Sequence, residues 1–242
     1  MGLASQVMFY GALCGVALVV GSVVSSRWWT PSAQAKSYIQ HVAGGLVFAA
    51  VGVEVLPDML ERAIPGAAAA GFILGVMLVM GIEFFSEKLS EKRGGESPWS
   101  LIGVITTDIF IDGVLIGVAS VAGGEGGSQA LLVTIALAAE MLSLGLSMGC
   151  TLRECGLSQT RVLVTSALMG FAPFGGAIGG YFFGGYVNGA WTEAILALAA
   201  AALLYLAVEE LLKEAHEVRE TPLATLLFFG SFFAIMMVDM AS

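Results

Sequence analysis

The sequence predicts an all-α integral membrane protein of eight transmembrane helices, with both termini on the extracytoplasmic side. Three observations predict it. Apolar residues make up 57% of the 242 positions and charged residues only 12%, about half the charged share of a soluble domain; mean hydropathy is +0.89. The apolar residues gather into eight runs, near 4–25, 36–60, 66–86, 100–122, 128–151, 160–184, 189–212 and 222–240, each long enough for a hydrocarbon core of roughly 30 Å. Nine of the ten Lys and Arg residues fall in four alternate loops, which the positive-inside rule assigns to the cytoplasm.

Each run has its own justification. The first lacks a basic leader and a small-residue cleavage site, so it reads as a mature span. Arg27 and Lys36 follow it. The second carries His41 toward its cytoplasmic end and Glu54 before Pro57, in the outer third. Glu54 reads equally as an access residue or as a wetted helix end. Arg62, the one basic residue on the outer side, separates it from the third run, whose inner end holds Glu83. The connection from Glu87 to Trp99 mixes both charges with glycine and reads as a solvated loop. The fourth run carries Asp108 and Asp112. Gly123–Ser128 is a flexible outer turn. The fifth carries Glu140, with Ser143 and Ser147 completing a polar stripe at helical spacing. Pro173 should bend or break the sixth, because it removes a backbone donor. The seventh ends in an acidic cluster, Glu209-Glu210 through Glu214 and Glu217, which also contains His216. Asp239 lies near the outer end of the last. No soluble domain fits in the remainder, so residues 1–242 form a single transmembrane domain.

The chemistry concentrates in Asp108 and Asp112. A spacing of four places both carboxylates on one helix face, a turn apart. An ionised carboxylate persists at membrane depth only when it faces protein or water. Two together require a cation or a shared proton. No Lys, Arg or His lies mid-span to neutralise them, which favours a cation site or proton relay over a protonated packing pair. With Glu140 they offer three carboxylates. Met141 and Met148 read as packing residues rather than soft ligands. Cys14 and Cys150 read as small apolar fillers, with no disulfide. No nucleophile–base–acid set, phosphate loop or haem motif occurs, so the chain does not read as an enzyme, and nothing suggests a nucleic-acid partner.

Several motifs then occur in a recognisable order. These are Ala43-Gly44-Gly45-Leu46-Val47-Phe48, Glu54-Val55-Leu56-Pro57-Asp58, Asp108-(x)3-Asp112-Gly113, Glu140-(x)3-Leu144-Gly145, Pro173-Phe174-Gly175-Gly176 and Leu204-Tyr205-Leu206-Ala207-Val208-Glu209-Glu210. Together they resemble the ZIP (Zrt-/Irt-like) family of divalent-metal transporters, as a divergent prokaryotic-type member. The resemblance covers nearly the whole chain. It implies a three-plus-two-plus-three helix arrangement and a divalent metal, as transported substrate rather than cofactor, held by Asp108, Asp112 and Glu140, with Glu54 toward the outer end. The departures are specific. Asp108 stands where the family has His, Asp112 where it has Glu, and Ile109 where it has Asn. Met141 and Leu144 replace the polar ligand and the Glu of the fifth span. The resemblance therefore implies that one metal site survives in altered form and that a second, adjacent one is lost. A site of carboxylates without His suits harder ions such as Mn²⁺ or Fe²⁺, while affinity order keeps zinc in play.

The expected function is inward transport of a divalent transition metal (Zn, Mn, Fe or similar) across the inner (plasma) membrane. The partners are the cation and the bilayer; glycine-rich faces allow a homodimer without requiring one. The alternative is a degenerate ZIP-like protein that senses a metal or protons, or carries another cation.

Overall fold

The computed structural model describes residues 2–92, 98–123, 128–186, 189–216, 218–219 and 221–241. The two expected loops centred on 93–97 and 124–127 lie outside the described residues, as do the side chains of Glu54, Glu83, Glu210, Glu214 and Glu217. Among the described residues the regular elements are all helical: α1 (Leu3–Arg27), α2 (Ala33–Ala49), a π-helical turn (Ala50–Val55), α3 (Leu56–Arg62), α4 (Pro65–Lys92), α5 (Pro98–Gly123), α6 (Ser128–Glu154), α7 (Gln159–Met169), α8 (Phe171–Gly184), α9 (Ala190–Tyr205), a second π-helical turn (Leu206–Leu212), α10 (Lys213–Ala215) and α11 (Pro222–Ala241). Among the described residues, six helical stretches are long and apolar enough to cross a membrane: Leu3–Arg27, Ala33–Arg62, Ala130–Glu154, Gln159–Gly184, Ala190–Glu209 and Pro222–Met240. Pro65–Gly81 is a shorter apolar helix. The chain is a helical membrane protein.

Its polarity is that of a lipid-embedded bundle. Phe9, Ile73, Met77, Phe171, Phe182 and Leu226 are exposed, whereas Ser22, Gln40, Thr134, Ser143, Ser166 and Glu193 are buried. Only 11% of the apolar stretch of α11 is buried; the rest is surface that lipid would cover.

Helix ends and breaks follow local chemistry. The Ser32 hydroxyl accepts from the Ala35 N–H at 3.2 Å and caps α2. Ser158 caps α7 through the Arg161 N–H. Ala63 adopts a left-handed conformation (φ 52°) that ends α3, and Pro65 starts α4 with its fixed φ. The sixth run breaks at Gly170, between α7 and α8. Pro173 is the cause: its ring has no N–H to donate and clashes with the carbonyl four residues back, that of Met169. Pro57 acts differently. The helix before it widens, and the Leu56 N–H reaches the Val51 carbonyl, five residues back. The second π turn, over Leu206–Leu212, contains no proline.

Glycines set which helices touch. On α5, a Cβ at Gly113 or Gly117 would collide with the Pro173 or Ala177 carbonyl of α8. The reverse holds for Gly176 and Gly180 against Phe110 and Val114. The same backbone-on-backbone contact joins α8 and α7 to α1 at Gly11 and Gly15, and α1 to α6 at Gly21, Gly145 and Gly149. One block, α5–α8–α1–α6, results. A buried Ser22–Ser166 hydroxyl pair at 2.6 Å ties α7 to α1 of this block. Outside the block, Gly71 and Gly75 of α4 lie on α9, and Gly45 of α2 lies on α11. In each case a small residue lets the helix axes approach and gain van der Waals contact, the main source of helix association in lipid.

Candidate metal centre

Asp108 and Asp112 project from α5, and Glu140 from α6, where these helices pack together. One carboxylate oxygen from each lies within 4.8 Å of the others. Asp112 and Glu140 are buried, at 3% and 1% exposure, and Asp108 is half-buried. The geometry descends from the sequence in two steps. Four-residue spacing stacks the aspartates on one face, and the Gly113/Gly117 contact with α8 fixes how α5 is rotated. Immediately before Asp108, the Thr106 and Thr107 hydroxyls donate to the Ile102 and Gly103 carbonyls at 2.6 and 2.9 Å. Such back-bonding satisfies the hydroxyls within the helix and slightly weakens the local helical ladder.

Three carboxylates in this space are electrostatically costly. Two unit charges 4.8 Å apart repel by roughly 3.5 kcal/mol at an effective dielectric of about 20. A divalent cation reverses the sign of that interaction. Oxygens this close can converge on one ion, since hard and borderline cations take oxygen at about 2.0–2.6 Å. The donor set is all oxygen, which fits Mn²⁺, Fe²⁺ or Zn²⁺ and gives little to select a soft ion.

Ile109 and Met141 are fully buried in the apolar core, and Leu144 packs against it. None supplies an oxygen or nitrogen, so no second ion has ligands at these positions. Met148 is likewise a core residue. Glu54 belongs to the π turn that packs against α6 and α9, but its side chain is outside the described residues. Of the polar stripe on α6, Ser143 is buried and Ser147 half-buried.

Two further residues lie in the interior with chemistry attached: Cys14, which the sequence marks only as an apolar filler, and Glu193. Cys14 of α1, fully buried, is within electrostatic reach of Asp112 and Glu140, and its thiol points at the Thr134 carbonyl at 3.8 Å. Nothing in its apolar context distinguishes it from a filler; only the packing of α1 on α6 brings it there. Glu193, 1% exposed, opens α9 close to the Asp58–Arg62 ion pair, whose atoms are 3.1 Å apart. All three cysteines are free thiols.

No family model matches the chain, and no curated protein matches it.

Proposed function

We propose that this protein carries a divalent transition-metal cation across the membrane through the Asp108–Asp112–Glu140 centre, as a divergent relative of the ZIP transporters. One observation carries the reading: three carboxylate oxygens from two neighbouring helices converge within 4.8 Å in the interior of an apolar bundle. The full proposal has eight crossings, a three-plus-two-plus-three order, both termini outside and inward movement. The one-sided distribution of Lys and Arg supports that topology. The break at Gly170 and the two π turns support a path through the bundle, because irregular backbone at membrane depth is tolerated where it lines a cavity or is buried in protein.

The second reading is a protein that binds a metal or protons without moving them. The apolar burial of Ile109 and Met141 favours it, since a centre reduced to one site has lost half of the machinery the resemblance implies. Flux separates the two. Purified protein in liposomes should take up at least one of Zn²⁺, Mn²⁺, Fe²⁺, Co²⁺ and Cd²⁺, and Asp108→Ala or Glu140→Ala should reduce the rate at least tenfold. Folded wild-type protein that binds these ions without flux would establish the second reading.

A further inference from the structure

The chain has two histidines, and the fold brings them together. His41 of α2 and His216, just beyond α10, have ring centroids 5.5 Å apart with planes at 67°. Both rings are held in the same way. The Nδ1 of His41 donates to the Ser37 carbonyl at 2.7 Å, and the Nδ1 of His216 donates to the Leu212 carbonyl. Each is the carbonyl one helical turn earlier. A ring nitrogen facing a carbonyl must carry the proton, so in the neutral imidazole Nε2 holds the lone pair. A backbone carbonyl on the second nitrogen is also the usual outer partner of a metal-bound histidine, fixing its tautomer and raising its basicity.

The spacing fits a shared ion. Imidazole nitrogen binds zinc at about 2.0–2.1 Å, so two rings on one tetrahedral ion have centroids roughly 5 Å apart. The segments carrying the rings are also tied together. The Ser37 hydroxyl donates to the Ala215 carbonyl at 2.8 Å, across the α2–α10 contact. His41 is 5% exposed, whereas His216 is exposed, so the pair lies at the rim of the bundle with one ring open to water.

We infer that His41 and His216 form a second metal site, separate from the carboxylate centre, that takes a d-block divalent cation such as Zn²⁺, Co²⁺ or Ni²⁺ and joins the middle of α2 to the end of α10. Imidazole donors prefer these ions to Mn²⁺, Mg²⁺ and Ca²⁺. Water completes the coordination, as is usual where a protein supplies only part of an ion's ligands. The site stands whether or not the carboxylate centre transports anything.

The test uses the full chain in detergent with all three central acids neutralised (Asp108→Asn, Asp112→Asn, Glu140→Gln). Zinc titration by calorimetry should show one ion bound per chain, with no heat from Mn²⁺. Adding His216→Gln, an exposed position that leaves the melting temperature unchanged, should weaken zinc at least tenfold; His41→Gln should do the same. Undiminished zinc affinity in the His216→Gln protein, or no zinc binding in the folded acid-neutralised protein, would overturn the assignment. Should neutralising the acids leave the wild-type zinc stoichiometry intact, the carboxylate reading fails, and His216→Gln still decides the histidine site on its own.

Discussion

At the scale of residues, the decisive fact is that three acids share a space which favours them only in company. Replacing Asp112 by Asn removes one carboxylate from the cluster. The metal-free protein should then melt a few degrees higher, because about 1 kcal/mol corresponds to 2–4 °C in a chain of this size. The stabilisation gained with Mn²⁺ should shrink, since a ligand at about 100 times its Kd contributes roughly 2.7 kcal/mol. Thermal unfolding in detergent with and without Mn²⁺ measures both. An unchanged Mn²⁺ effect in Asp112→Asn would remove Asp112 from the site. These acids were legible in the sequence because a charge stands out against an apolar run, and the spacing of four gave their shared face. Their approach to Glu140 was legible only as a grouping, without a distance. Cys14 and Glu193 were not legible, because their significance comes from neighbours far along the chain. His41 was visible as a residue near a helix end. Its pairing with His216, 175 positions away, depends on how α2 meets α10.

At the scale of elements, the glycines carry the argument. Gly117 and Gly176 sit where any Cβ meets α8 or α5 backbone. Gly117→Ala or Gly176→Ala should therefore destabilise by about 1–3 kcal/mol, the usual cost of overpacking. Gly179→Ala, on the same helix but facing open space, should change little. Melting temperatures of the three variants make the comparison; equal behaviour would mean that the α5–α8 seam is not held by backbone contact. The proline-induced break in the sixth run was readable from composition, displaced by three residues to Gly170. The π turn at Leu206–Leu212 was not readable, since no proline marks it and apolar periodicity tolerates one extra residue per turn.

For the whole molecule, the outline came from the alternation of long apolar runs with short polar loops, and helices lie where those runs are. Helix partners did not come through, because hydropathy reports exposure to lipid and not which neighbour a helix selects. The orientation can be measured directly. Cys155 is exposed in the turn after α6, on the side assigned to the cytoplasm. A membrane-impermeant maleimide should leave it unmodified in intact cells and label it after permeabilisation. Cysteine introduced at Ala63, in a chain lacking the native thiols, should show the opposite pattern. Labelling of Cys155 from outside would invert the proposed topology.

The glycine-sealed block has a mechanical consequence. Asp108, Asp112 and Glu140 all ride on α5 and α6, which reach each other through α8 and α1 by seams without side chains to reshuffle. A clamp built this way has no jaw: in the proposed transporter its three oxygens would keep their spacing while α2, α4, α9 and α11 shifted around it. Cargo held there would face each side of the bilayer with its grip unaltered. Letting go would then fall to a competitor for the oxygens, a proton or a water molecule, and the rate of delivery would follow the chemistry of the receiving compartment more than the stroke of the helices.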